Sequence, residues 1–321
     1  MNQDYKHILI VGGNGFIGSH LVDALLLRGN SHVCVLDAQS ERFRAPLSVV
    51  EYFLGSYTDN DLLSTALKDC DTLVHLAHNG TPSSEPRFSG LDMAGGEDSF
   101  AKLLEMAVQQ HVKQVLLFSS GGAIYGDAQP CPIDELAECR PISSYGRDKQ
   151  QMEKVLDQFH HEHGINYIIV RPSNPFGPRQ DFRGSQGVIP IFMHRMLTGQ
   201  PLCVWGDGTA SKDYIYVSDL VSAVVSLMAT GFDNEVYNIG SGRGFSLRSL
   251  ITLLETTLGC KGQISYEPAR ATDVPNNYLS VRKLQARTGW QPRTSLEEGL
   301  LLTKCWYKES MTGAMAGAGK F

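Results

Sequence analysis

Two residues four apart, Tyr145 and Lys149, stand at the start of a helical pattern and project from one face of it. A phenol with a pKa near ~10 is a poor base at neutral pH until a neighbouring cation stabilises its phenolate. Beside Lys149, Tyr145 can take a proton from an alcohol while hydride leaves the carbon that bears it. The same spacing also fits an ordinary helix start with an exposed lysine, so a binding site for a hydride acceptor has to be found elsewhere in the chain.

An apolar run, His7–Val11, leads into Gly12-Gly13-Asn14-Gly15-Phe16-Ile17-Gly18 and then into a helical pattern. In such a turn Gly12 allows the tight bend, Gly15 lets the backbone approach a pyrophosphate, and Gly18 permits close packing of helix on strand. The helix N-terminus adds unpaired N–H groups and partial positive charge for the phosphates. Asp37 ends the next strand, where a carboxylate can hold both ribose hydroxyls and repel a 2′-phosphate. The expected cofactor is therefore NAD rather than NADP, and its positive nicotinamide would join Lys149 in favouring the Tyr145 phenolate.

These side chains need elements to hold them. Strands are expected at His7–Val11, His32–Asp37, Val50–Leu54, Thr72–Ala77, Gln114–Ser119 and Asn166–Arg171, with amphipathic helices at Phe16–Arg28, Phe100–His111 and Gly146–His163. Val-, Ile- and Leu-rich runs alternating with helices predict an α/β fold with a doubly wound parallel sheet of Rossmann type. After Arg171 prolines and glycines crowd the chain, and Asp213–Val217 and Glu235–Ile239 then read as strands that return to the sheet. Phe245–Gly259 and Ser295–Tyr307 read as helices, with Leu300, Leu301 and Leu302 as core of the last. The expected division is an NAD-binding part over 1–172 with returning strands within 213–239, a smaller C-terminal α/β substrate-binding part over 173–311, and a Gly- and Ala-rich flexible tail over 312–321.

Composition narrows the class of function. Apolar residues make up 42% and charged ones 19% of 321 residues, enough for a large core. A formal net charge of -6 offers no broad attraction to nucleic acid or anionic membrane, so positive charge for a phosphorylated ligand must be local. The 7 cysteines are scattered without Cys-x-x-Cys spacing, and no basic-then-apolar leader or membrane-length apolar run is present in the sequence given. Free thiols in a reducing cytoplasm are expected. His160-His161-Glu162-His163 reads as a solvated helix end before Gly164, and no metal site is expected.

With these motifs in order, the chain resembles the extended short-chain dehydrogenase/reductase family, in particular NAD-dependent nucleotide-sugar epimerases of the UDP-glucose 4-epimerase type. The resemblance runs from about His7 to Tyr307 and includes His75-Leu76-Ala77, Ser119-Ser120 leading to Tyr125-Gly126, Arg171-Pro172-Ser173-Asn174-Pro175, Trp205-Gly206-Asp207-Gly208, Lys212-Asp213-Tyr214, Tyr237-Asn238-Ile239-Gly240-Ser241-Gly242 and Arg270-x-x-Asp273. It implies Tyr145 as base and Lys149 as its partner, also gripping the nicotinamide ribose. It places Phe16 and Ile17 at the pyrophosphate and Leu76, Ala77 and Ser119 along the cofactor. Asn174, Val188, Cys203 and Trp205 would hold the sugar diphosphate and nucleobase, Lys212 and Arg270 the diphosphate, and Asp273 a ribose hydroxyl. A homodimer through the helices at Phe100–His111 and Gly146–His163 is a further implication.

Several positions depart from the family pattern. Gly121 stands where a Ser or Thr usually hydrogen-bonds the reacting hydroxyl; either Ser120 shifts into that role or a water fills the space, and Gly121→Ser is expected to be harmless. Lys212 replaces an arginine, and Ser56 replaces an adenine-contacting Asp, leaving Tyr57 to pack there. Gly122 and Ala123 lack the acids of dehydrating and decarboxylating relatives, which disfavours elimination. The remaining readings are 4-epimerisation of a UDP-hexose or UDP-N-acetylhexosamine, NAD(P)H-dependent reduction of a nucleotide-linked 4-keto-6-deoxyhexose, or a nucleotide-binding protein without catalysis. Asn277 takes the place of a pocket-narrowing Tyr, so an N-acetylated sugar is expected to fit.

Overall fold

The computed structural model describes residues 7–29, 31–77, 96–126, 130–182, 187–269 and 274–311. The first half runs β1 (His7–Val11), α1 (Phe16–Arg28), β2 (His32–Asp37), β3 (Val50–Leu54), α2 (Asn60–Leu67), β4 (Thr72–His75), α3 (Gly96–Gln109), β5 (Gln114–Phe118), α4 (Ser144–His163) and β6 (Asn166–Pro172). It continues with β7 (Asn174–Phe176), α5 (Val188–Leu197), β8 (Leu202–Trp205), β9 (Ser211–Lys212), β10 (Tyr214–Tyr216), α6 (Val217–Thr230) and β11 (Glu235–Ile239). The last elements are β12 (Phe245–Ser246), α7 (Leu247–Leu258), β13 (Ile264–Glu267), β14 (Asn276–Asn277), α8 (Arg282–Thr288) and α9 (Leu296–Met311).

Strands apolar on both faces must be covered on both faces, and seven of them form one sheet in the order β11-β6-β5-β4-β1-β2-β3. Every pairing in it is parallel. Alternation sorts the side chains: Ile8 and Ile10 face α1 and α6 with Leu21, Val22, Leu220 and Val224, whereas Leu9 and Val11 face α2, α3 and α4 with Leu63, Leu103 and Leu156. Each such buried side chain contributes roughly 1.5–3 kcal/mol relative to exposure. Strand order reverses between β1 and β4, and that reversal opens a crevice at the C-terminal ends of the strands.

Of the two later strands expected in this sheet, Glu235–Ile239 joins its edge beside β6 as β11. The other does not: Tyr214–Tyr216 pairs with β7 in a separate two-stranded sheet, because its neighbour Asp213 is tied to Asn174 just beyond β6. A third apolar cluster gathers Phe176, Phe192, Met193, Val204, Tyr214, Leu250 and Leu300. Leu300 is fully buried there, but Leu301 and Leu302 are 51% and 42% exposed, since a helix turns consecutive residues about 100° apart. The seven cysteines are free thiols, and no helix among the described residues is long and apolar enough to cross a membrane.

Candidate active site

The glycine turn sits at the crevice. Gly12 adopts φ +87°, donates to the Leu36 carbonyl at 2.9 Å, and a Cβ there would stand 2.9 Å from the Ala77 nitrogen. Leu76 and Ala77 are drawn close because both N–H groups donate to the Val11 carbonyl, at 2.9 and 3.2 Å, and this ends β4 at His75. A Cβ on Gly18 would overlap the Gly12 carbonyl oxygen, so only glycine lets α1 seat on the turn. Gly15 caps α1 without a side-chain hydrogen bond, and a Cβ on it would meet only the Gly12 oxygen, at 3.3 Å. That uncapped helix start, with Phe16 and Ile17 in its first turn, fits a dinucleotide pyrophosphate. Asp37 lies beside it and accepts from the Asn14 N–H at 3.0 Å and the Gln39 N–H at 2.9 Å. Tyr57 sets its ring edge-on to His75 at 5.5 Å; burial pushes its phenol pKa up, while a hydrogen bond with Ser99 opposes this.

The Ser143 hydroxyl accepts from the Gly146 N–H at 3.0 Å and starts α4, which puts Tyr145 and Lys149 over the end of β5. Lys149 is 2% exposed, donates to the Phe118 carbonyl at 2.9 Å, and holds its ammonium 5.9 Å from the centre of the Tyr145 ring. Burial lowers the Lys149 pKa to about 8, against the opposing charges of Glu153 and Asp148. Burial raises the Tyr145 phenol above its ordinary value, and a hydrogen bond with Ser120 works the other way.

Ser120 thus stands beside the Tyr145 phenol. Around Gly122 the site converges: a Cβ there would lie 3.7 Å from Asn174 Oδ1 and 3.9 Å from Ser120 Oγ. The expectation that a serine at 121 is harmless meets a steric obstacle. A Cβ there would stand 2.5 Å from Leu279 Cδ1 and 2.9 Å from the Arg171 carbonyl, so a side chain fits only if these neighbours shift. Ser119, 3% exposed, donates its N–H to the Val170 carbonyl at 2.8 Å and has a buried hydroxyl without a partner among the described residues.

The residues assigned to the sugar nucleotide fall into two groups. Asn174 donates to the Asp213 carbonyl at 2.8 Å, and Lys212 to the Val274 carbonyl at 2.9 Å. Asn277 faces Lys212 across β14 and β9 and is fully buried, its carboxamide donating to the Gly121 carbonyl at 3.2 Å. Val188, Cys203 and Trp205 sit instead on α5 and β8, around the third apolar cluster, with Trp205 41% exposed. Arg270 and Asp273 lie outside the described residues.

Two buried groups have no assigned role in the sequence reading. Glu153, one helical turn after Lys149, takes both arms of Arg171 at 3.0 and 2.6 Å. Arg171 also donates to the Tyr125 hydroxyl at 3.0 Å, which in turn donates to Asn238 at 2.7 Å. The four-residue spacing of Lys149 and Glu153 was a visible signal. Asp213 is the second: its fully buried carboxylate accepts from the Ser241 N–H and hydroxyl at 2.8 and 2.7 Å, the Gly242 N–H at 3.2 Å and the Leu279 N–H at 3.3 Å. Burial raises its pKa while these donors oppose the rise.

The geometry has close counterparts. A family model described as the NAD dependent epimerase/dehydratase family matches residues 8–240. A putative UDP-glucose 4-epimerase of Methanocaldococcus jannaschii is 34% identical over 309 residues, spanning 94% of this chain and 99% of the relative. The crystal structure of the Thermotoga maritima UDP-glucose 4-epimerase with UDP-glucose is 36% identical, with a TM-score of 0.89 over 95% of this chain and 99% of that one. The Thermus thermophilus UDP-glucose 4-epimerase in complex with NAD is 31% identical, with a TM-score of 0.85 over 94% and 99%. A glycine turn shaped for a dinucleotide, a tyrosine–lysine pair beside it and a match over most of the length agree: the chain is an NAD-dependent enzyme and belongs to the NAD-dependent epimerase/dehydratase family.

Proposed function

We propose that the protein is a nucleotide-sugar 4-epimerase that acts on a UDP-hexose or UDP-N-acetylhexosamine through a transient 4-keto sugar, with Tyr145 as the base. The observation that carries this is the hydroxyl of Ser120 on the Tyr145 phenol, with the Lys149 ammonium 5.9 Å from the ring, beside the glycine turn. The chemistry that bound NAD supplies is removal and return of hydride at carbon 4. Tyr145 takes the proton of the 4-hydroxyl, Ser120 bridges that oxygen and the phenol, and the buried Lys149 ammonium, 5.9 Å from the ring centre, stabilises the negative charge. The same phenol gives the proton back once the keto sugar has turned. Asn174 orients the sugar, and Lys212 with Arg270 supplies the local positive charge for a diphosphate. The names of the relatives support a UDP-linked hexose.

Purified protein incubated with a panel of UDP- and dTDP-sugars should interconvert a pair differing only at carbon 4, and on denaturation should release NAD at near-equal stoichiometry. An empty protein that instead consumed added NAD(P)H with a 4-keto-6-deoxy sugar would be a reductase. Turnover of UDP-glucose with none of UDP-N-acetylglucosamine would remove the N-acetylated substrate from the proposal.

A further inference from the structure

The loop that presents Ser120 holds itself only in part: the Ser120 carbonyl accepts from the Ile124 N–H at 3.1 Å and the Ala123 N–H at 3.4 Å. Gly121 and Gly122 follow it directly, and glycine has the widest backbone freedom of any residue. From outside, the Ser119 N–H on the Val170 carbonyl anchors its start at 2.8 Å, and two neighbours hold Gly121. On one side the Gly121 N–H donates to the Pro172 carbonyl at 2.8 Å, beside β6. On the other side the Asn277 carboxamide donates to the Gly121 carbonyl at 3.2 Å.

Asn277 has little else to do with its polar atoms. It is fully buried, its Nδ2 reaches Gly121, and its Oδ1 has no partner among the described residues. Reversing the amide would put that oxygen against the Gly121 carbonyl, acceptor on acceptor, so the bond fixes its orientation. The backbone of Asn277 is anchored in turn: its carbonyl accepts from the Asp213 N–H at 3.1 Å, and the Asp213 carbonyl accepts from the side chain of Asn174 at 2.8 Å. A line of hydrogen bonds therefore joins Asn174 through Asp213 and Asn277 to the loop that carries Ser120.

We propose that Asn277 is a positioning residue, whose carboxamide grips the Gly121 carbonyl and so keeps the Ser120 hydroxyl on the Tyr145 phenol. This rests on Ser120 and Tyr145 being the proton-handling pair. It differs from a role for Asn277 as a measure of sugar size, because the side chain is spent on the loop. Releasing the side-chain grip loosens Ser120 while the glycine turn and the backbone pairing of Asn277 with Lys212 stay in place, so the turnover step suffers and ligand binding does not.

A double-mutant comparison on the NAD-bound protein tests this, with UDP-glucose as probe. Asn277→Ala should lower kcat about tenfold, the scale of one lost hydrogen bond, with KM and bound NAD unchanged. Ser120→Ala should cost about a hundredfold. The double variant should be no slower than Ser120→Ala alone, because Asn277 acts only through that hydroxyl. Single losses that multiply, or an unchanged kcat in Asn277→Ala, overturn the proposal. Should Asn277→Ala not fold, Asn277→Ser carries the same comparison under the same two criteria.

A second arm needs no sugar. Phenolate absorbance of the NAD-bound protein, taken as the difference from Tyr145→Phe, reports the ionisation of Tyr145. The Ser120 hydrogen bond favours the ionised phenol, so Asn277→Ala should move that ionisation to higher pH. An identical titration overturns the tether. A parent protein that turns over no sugar nucleotide counts against the proposed function alone, and this arm still judges Asn277.

Discussion

The hydroxyl that meets Tyr145 belongs to Ser120, one residue earlier than the family pattern places it, and the reason lies at Gly121. Its α-hydrogen points into a wall made by Leu279 and the Arg171 carbonyl. Gly121→Ser should therefore overpack the loop, lowering stability by about 1–3 kcal/mol and reducing kcat; a melting temperature and a rate equal to the parent's would contradict this. Lys149 makes a second case. Its folded pKa of about 8 lies below the free value of 10.5, so burying the ammonium costs the cofactor-free fold roughly 3 kcal/mol. That cost is present in full below about pH 8 and vanishes as pH rises to 10.5. Lys149→Met should abolish turnover yet stabilise the NAD-free protein at pH 7, with the gain fading above pH 8; denaturant titration at several pH values checks it. Gly12, Gly18, Asp37, Tyr145 and Lys149 were legible in the sequence because their spacing is local. Asp213 was not: its carboxylate is satisfied by Ser241, Gly242 and Leu279, whose approach only the folded chain brings about.

Among elements, α4 does most of the positioning. Successive turns of one face carry Tyr145, Lys149 and Glu153, and Glu153 locks to Arg171 of β6. Glu153 therefore has two effects: it braces the helix against the sheet and its charge raises the Lys149 pKa. Glu153→Gln should destabilise by about 3 kcal/mol through the unpaired buried guanidinium. It should also pull the alkaline limb of the kcat profile to lower pH, since Lys149 would lose its proton sooner. A limb that stays in place would separate Glu153 from the chemistry. The strands of the first half were readable to within two residues, because runs such as Ile8–Val11 announce a doubly covered strand. Helix α6 was not named, because Val217–Thr230 is mostly apolar and its polar stripe, Ser218, Ser222, Ser226 and Thr230, is made of small hydroxyl residues rather than charges. The two-residue strands β9, β12 and β14 have no periodicity to read.

At the scale of the whole molecule, we propose a homodimer through α3 and α4, which pack on each other and cover one face of the sheet over β4, β5 and β6. Sedimentation at micromolar concentration should give twice the mass of one chain; a monomer that is fully active would remove the proposal. The sheet has a consequence for how the chain can be cut. Its edge strand β11 and the helix α6 that roofs one face are made after the chain has already left for β7, α5 and β8. Ile215, Leu220, Val224, Leu227 and Ile239 share one cluster with Ile8, Ile10 and Val35. A fragment expressed only as far as Pro172 would bare β6 along its length together with that cluster. It should collect in inclusion bodies, and a split protein should recover only when the severed halves are produced together.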